Sequence, residues 1–451
     1  MQRQTTLDMT QGSPMRLIIL FTLPMLLGNL VQQLYSSVDS IVVGHFVSVQ
    51  AMAAIGATSS MLYFFLNIAI GLSNGLGITI SQYFGAKNEA LIQKAAANAV
   101  LVTLAAALFM GGLGLTFARP LLELLQTPDD LIEMSYCYVT INYAGMVCLL
   151  GYNVTASILR ALGNSRAPLY FLIFSSLLNV VADLVFVLVF HMSVEGVAIA
   201  TVGSQGVSAL LSIRYMARHY PVLRFKLRDL RPDWEIIGRV VKIGLPMGAQ
   251  SGFFAAGMMV IQGVINSYGT DVVAGYTAGV RVEQLTWLTF TTLGNSISSY
   301  IGQNAGAKNL QRIRSGFRAA LKICLVCSLA STLLVYLLGT PLLRLFITAY
   351  QPQILAIGRG FLLVNATFYF PLGLIVLYNG CLRGMGDIGI PMVSATIELV
   401  IKVGGSLLLS LCFGYFGIWF AEPLGWVLGM IPSIIHYHRG RWEELVHRLK
   451  V

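Results

Sequence analysis

Five carboxylates stand inside the long apolar runs of this 451-residue sequence: Asp39, Asp183, Glu283, Glu398 and Glu422. Placing an acid in hydrocarbon is costly, so such residues mark ion pathways, proton relays or ligand counter-charges. Asp39 closes a polar stripe. Asn29, Gln32, Ser36 and Asp39 recur at helical spacing on one face, and a face that polar should line water. Asp183 follows Asn179 by four residues, which puts both side chains on one helical face. Thr201 interrupts the next apolar run, GVAIATVGSQG. Two carboxylates, an amide and a hydroxyl could therefore converge in the first half of the chain. A desolvated carboxyl beside another holds a proton near neutral pH. The same oxygens suit Na⁺, a hard cation. An internally hydrogen-bonded structural cluster is the alternative.

The acids of the second half read differently. Glu398 and Lys402 are four residues apart, the spacing of a neutralised intrahelical pair. Glu283 shares a face with Thr286 and Trp287, whereas Arg281 aligns with Thr277 and Gln284. Glu422 lies between Trp419 and Trp426. An acid among aromatic rings suits an organic cation, and it equally suits the aromatic belt at a membrane interface. Gln32, Tyr35, Ser36, Asn67, Gln262, Arg281, Glu283 and Glu422 are the candidates for lining a substrate cavity. Pro24 interrupts the first apolar run and supplies a bend point, because proline removes a helical hydrogen bond and crowds the preceding turn.

The elements that carry these residues follow from composition. Apolar residues make up 56% of the chain and charged residues 11%, and mean hydropathy is +0.75. About twelve apolar segments, from 15–44 to 415–437, are long enough to cross a ~30 Å hydrocarbon core. The backbone must satisfy itself there, so the spans are helices. The net charge of +10 does not point to nucleic acid. Most of the Lys and Arg fall in alternate connections: Lys87 and Lys94, Arg160 and Arg166, a central block from Arg214 to Lys242 that includes Arg228, and Lys308 to Lys322. With Arg3 at one end and Arg439 to Lys450 at the other, this places both termini in the cytoplasm and the basic surface against anionic lipid. The first run is too long for a cleavable signal and is expected to stay as a span. Cys324 and Cys327 form a C-x-x-C inside an apolar helix with no second pair, which reads as packing rather than metal or redox chemistry.

The chain repeats itself. Gln82–Asn88 and Gln303–Asn309 share the pattern Q-x-x-G-A-K-N, 221 residues apart. Leu23-Pro24-Met25 returns as Leu245-Pro246-Met247, and Leu159-Arg160 with Gly163 and Pro168 returns as Leu382-Arg383 with Gly386 and Pro391. Duplicated halves in an apolar chain are the pattern of a carrier that rocks about a central site. The expected organisation is a six-helix lobe over 1–217, a cytoplasmic linker over 218–236, a second six-helix lobe over 237–437 and an amphipathic tail over 438–451. Trp442, Leu445 and Leu449 lie on one side of the tail. The expected architecture is thus an all-α polytopic membrane protein with twelve transmembrane helices in two pseudo-symmetric bundles around a central cavity.

These features resemble the multidrug and toxic compound extrusion (MATE) family over nearly the whole chain. The paired Q-x-x-G-A-K-N segments, the twelve spans and the first-span Asp39 carry the likeness, which is nearest to the DinF-like branch. The resemblance implies that Asp39, Asn179, Asp183 and Thr201 form a cation-coupling site for H⁺ or Na⁺, with Pro24 as the hinge of the first helix. It implies an antiporter for organic, often cationic, compounds, monomeric in a bacterial plasma membrane, with no cofactor besides the coupling ion. A lipid-linked oligosaccharide flippase is the rival; it would need several cavity cations for a pyrophosphate, and only Arg281 and the paired Lys402 lie deep in the spans. An enzyme is disfavoured, since H-E-x-x-H does not occur.

Overall fold

The computed structural model describes residues 6–226, 229–347 and 351–451. Arg3 and Arg228, counted above with the basic cytoplasmic residues, lie outside them. The described residues form fifteen α-helices. In the first half these are α1 (Pro14–Val42), α2 (Val49–Gly85), α3 (Glu89–Leu124), α4 (Asp129–Ala144), α5 (Met146–Ala161), α6 (Arg166–Leu184) and α7 (Val194–His219). The second half repeats the series as α8 (Trp234–Asn266), α9 (Thr270–Gly306), α10 (Leu310–Arg344), α11 (Pro352–Thr367), α12 (Tyr369–Met385), α13 (Gly389–Phe413) and α14 (Tyr415–His438). A short α15 (Arg441–Arg448) closes the chain.

Among the described residues, nine helices are long and apolar enough to cross a membrane. Eleven spans result if α4 with α5, bent by 49°, and α11 with α12, bent by 53°, each count as one. The twelfth element is α9. It has the same 37-residue length as its counterpart α2, but its Thr, Ser, Gln and Asn content keeps it below that hydropathy. Large apolar side chains point outward, with Leu108 76% and Leu411 84% exposed. A solvated surface would not tolerate this pattern, whereas lipid requires it.

The repeated heptapeptide is a joint. Each copy ends a long helix, at Gly85 and at Gly306. Lys87 and Lys308 then take the left-handed conformation at φ 56° and 53°, uncommon for a residue with a side chain. Asn88 and Asn309 cap the next helices by accepting hydrogen bonds from the amides of Leu91 (3.1 Å) and Arg312 (3.0 Å). Gly163 and Gly386 mark a second matched pair of turns, at φ 84° and 90°.

The chain divides into two compact units. One comprises residues 23–248 with 1–8 and Val451; the other comprises 249–450 with 9–22. Sequence places the division in the 218–236 linker. The units instead divide inside α1 and inside α8, each time within three residues of a proline, Pro24 or Pro246. The first turns of α8 pack in the first unit, where Arg239 donates to Gln82 Oε1 and the Asp233 amide donates to Asn98 Oδ1 at 2.8 Å. There α2 and α8 touch backbone to backbone, and a Cβ on Gly71 would lie 2.5 Å from Gly244 O. Correspondingly, in the second unit the Met9 amide donates to Gln303 Oε1 at 2.9 Å, and Asn304 and Arg312 both donate to Met9 O.

The tail is amphipathic with a different inner face from the expected one. Trp442 and Val446 are buried, one helical turn apart, while Leu445 is 40% exposed. The indole Nε1 of Trp442 donates to Tyr437 O at 2.9 Å, which fixes the rotation of α15.

Candidate functional site

In the first unit, α1, α4, α6 and α7 bring polar groups to one place. Asp39 comes from α1, Asn179 and Asp183 from α6, Thr201 from α7, and Tyr138 from α4. Asp183, Asn179 and Tyr138 are 0%, 1% and 7% exposed; Asp39 and Thr201 are half-buried. The Asp39 and Asp183 carboxyls are in contact. Asn179 Nδ2 donates to Thr201 Oγ1 at 3.4 Å. Tyr35 on α1 faces Asp39, Asp183 and Thr201 with its hydroxyl, and Tyr138 faces both carboxyls. Below this group Ser175 Oγ donates to Ser204 O at 3.1 Å, which ties α6 to α7.

Two carboxylates in contact have no proton between them to bond with unless one is protonated. Asp39 Oδ1, both oxygens of Asp183 and Asn179 Oδ1 have no hydrogen-bond donor among the described atoms. These oxygens converge from two helices and are of one chemical type. Such a set can share a proton or wrap a hard monovalent cation.

Two features escape sequence reasoning. The helices carrying the acids both loosen just beyond them: α1 passes into a π-helical turn at Val43–Val47 and α6 into one at Val185–Val189. Wide turns of this kind recur at functional sites. Val43 and Val187, one from each turn, belong to the same buried cluster as Tyr138. Tyr138 itself was readable, since it stands four residues before Asn142 on α4 and their spacing makes a polar stripe; Asn142 Nδ2 donates to Tyr138 O at 2.9 Å.

The cavity candidates fall in both units: Gln32, Tyr35, Ser36 and Asn67 in the first, Gln262, Arg281, Glu283 and Glu422 in the second. Tyr35 belongs to the site above. Gln32 and Ser36 are exposed on α1. Asn67 spends its amide on Tyr63 O of its own helix, at 2.8 Å, and Gln262 donates to Asn266 Oδ1 at 2.8 Å. Arg281 is exposed on α9, two residues from the buried Glu283. Glu422 is half-buried and accepts from Lys402. The expected Glu398–Lys402 pair is therefore replaced by a pair between neighbouring helices, because α13 and α14 pack along their lengths and bring Glu422 to the ammonium. Near it Tyr276 and Trp419 stack with centroids 5.5 Å apart, and Phe361 meets both edge-on at 5.2 Å. Among the described residues, no three His, Cys, Asp or Glu side chains are placed to hold a metal ion together.

An all-helical, multi-pass membrane protein of duplicated architecture, with paired acids buried inside a bundle, is a carrier rather than an enzyme. The MatE family pattern matches twice, over residues 24–185 and 246–406. The chain belongs to the MatE family, whose members are transporters. It is 31% identical over 440 residues to the probable multidrug resistance protein YpnP of Bacillus subtilis, covering 97% of this chain and 98% of that one. It is 25% identical to an FAD transporter of Shewanella oneidensis over 85% of this chain and 84% of that protein. In three dimensions it resembles the outward-facing form of a multidrug resistance MATE family transporter of the MOP superfamily. That likeness has a TM-score of 0.89 at 22% identity and covers 97% of this chain and 98% of that one.

Proposed function

We propose that this chain is a secondary antiporter that exports organic, often cationic, compounds in exchange for H⁺ or Na⁺. The observation that carries this reading is the contact between Asp39 and Asp183 within the first unit. Two like charges in a low-dielectric site repel strongly. A proton or Na⁺ relieves that repulsion, so the site takes a cation readily. Asn179 and Thr201 supply further oxygens for Na⁺ and hydrogen bonds for a shared proton. Asp39 is half-buried and Asp183 fully buried, which makes Asp39 the group that meets the incoming ion.

Loading neutralises Asp39 and alters the packing of α1 about Pro24. The halves then exchange access from one side of the membrane to the other, and the empty, ion-free carrier takes up its cargo inside. Both termini are cytoplasmic, the membrane is a bacterial plasma membrane and the working unit is a monomer. The cargo is a small organic molecule, by analogy with the relatives named for multidrug resistance. A lipid-pyrophosphate flippase is less well supported, because Lys402 is already committed to Glu422.

The experiment uses proteoliposomes loaded with ethidium under a pH gradient alone and then under a Na⁺ gradient alone. Wild type should move ethidium under one of them, and Asp39→Asn should lose the gradient-driven part while still reconstituting. With H⁺ as the ion, transport rises as the outer pH falls, since the loaded form is the protonated one. Unchanged gradient-driven transport in Asp39→Asn would refute the assignment.

A further inference from the structure

Helix α10 carries a basic stripe that its counterpart α3 lacks. Arg314, Arg318 and Lys322 recur every four residues, which puts them on one helical face. The paired caps Asn88 and Asn309 set the register between the two helices, so the matching positions on α3 are Gln93, Ala97 and Leu101. The difference follows from what covers each face. In the first unit the chain leaving α7 lies over α3: Leu223 joins a buried cluster with Ile92, Ala95 and Ala96, and Gln93 Nε2 donates to Arg224 O. Ala97 is buried there. In the second unit Arg318 and Lys322 are exposed. Arg314 donates to Glu443 of α15, and the neighbouring Glu444 lies 3.5 Å from Arg448 instead. Among the described residues no carboxylate pairs with Arg318 or Lys322. The Tyr437 phenol at the end of α14 faces Arg314 and Arg318.

The depth of this stripe follows from the sequence of α10. The 21 residues between Lys322 and Arg344 carry no charge. At a rise of about 1.5 Å per residue they span roughly 31 Å, the thickness of a hydrocarbon core. Lys322 therefore stands at the hydrocarbon boundary, with Arg318 one turn and Arg314 two turns outside it, at headgroup depth. The same face continues inward as Leu325, Leu329 and Leu333, all exposed. Two unpaired cations thus sit directly beyond a row of outward alkyl side chains. The alkyl row suits the acyl chains of any lipid. The cations select an anionic headgroup, and a soluble anion would have no use for the row.

We propose that this face of α10 binds an anionic glycerophospholipid, with its phosphate between Arg318 and Lys322 and its acyl chains along Leu325, Leu329 and Leu333. Arg318 offers paired N–H donors to the phosphate oxygens, and Lys322 extends its ammonium from the hydrocarbon boundary toward the headgroup. The site lies within the second unit and stands whether or not the chain is an antiporter. Its test is native mass spectrometry of the full-length protein, titrated with dioleoyl phosphatidylglycerol and separately with dioleoyl phosphatidylcholine. Wild type should retain phosphatidylglycerol in preference. Arg318→Gln combined with Lys322→Gln should weaken that binding by about 30-fold, since each cation at an anionic lipid surface is worth about fivefold. Both side chains are exposed, so the variant should melt with wild type. Arg214→Gln combined with Arg218→Gln removes the same charge from exposed positions on α7 and should leave the binding unchanged. Equal retention of the two lipids by wild type, which depends on no variant, would overturn the proposal. So would equal weakening by the two double variants, which would reduce the effect to net charge. Displacement of the lipid by glycerol phosphate at matched concentration would assign the cations to a soluble phosphate and overturn the lipid.

Discussion

Lys402→Met removes the ammonium that faces the buried Glu283 and Glu398 and the half-buried Glu422, and its cost can be reasoned from the structure. The Lys402 and Glu422 side chains are 9% and 14% exposed, so the pair is close to fully desolvated. Removing one partner of such a pair costs about 3–5 kcal/mol, because the other charge stays buried and bare. Across a bundle of this size, 1 kcal/mol corresponds to roughly 2–4 °C in Tm. The variant should therefore melt about 10 °C below wild type, followed by tryptophan fluorescence in detergent. The deficit should shrink as pH falls, since protonating a bare carboxylate replaces the lost positive charge, by up to ~1.4 kcal/mol per pH unit for each proton taken up. Lys402→Met combined with Glu422→Gln removes one charge of each sign and should recover most of the loss. If the single variant melts with wild type, or the double variant melts below the single one, the charge accounting fails.

Two other perturbations probe the scaffold. Asn88→Ala and Asn309→Ala each delete a helix cap, at about 1 kcal/mol apiece; denaturant or thermal midpoints should fall in both, and additively in the double variant because the caps share no partner. Gly71→Val places a Cβ 2.5 Å from the Gly244 carbonyl and the Gly248 amide, forcing α2 and α8 apart at a cost of about 1–3 kcal/mol or more. Gly56→Ala, with nothing within 4 Å of its added Cβ, should be neutral by the same melting and expression measurements.

The helices were legible because lipid leaves so few options: an apolar run near twenty residues long must be a helix, and the duplicated Q-x-x-G-A-K-N fixed where one half follows the other. Asn179 and Asp183 could be placed together because a four-residue spacing settles a shared face. Their meeting with Asp39 could not, since that depends on how α1 and α6 pack. The same limit explains Lys402. Spacing offers Glu398 as its partner, but an adjacent helix offers a carboxylate in better reach, and only tertiary packing decides between them. The π-helical turns after Asp39 and Asp183 leave no trace in residue type; VGHFV and VFVLV read as ordinary apolar helix. Pro24 was visible as a bend point, and Pro246 as its counterpart in the repeat. That the compact units divide beside them needed the contacts of Met9 and of Arg239.

Those contacts have a consequence for synthesis. The Met9 backbone bonds to Gln303, 294 residues later in the chain. At about 5–20 residues per second, the first segment to leave the ribosome waits roughly 15–60 seconds for its partner to be made. During that interval it is a loose end of the nascent protein. The second unit also lacks what Gln303, Asn304 and Arg312 hold until residues 9–22 return to it. Expressing the two halves as separate polypeptides cut within 218–236 should therefore give neither half a complete fold. Each would carry the segment that the other requires, and they should assemble only when made together.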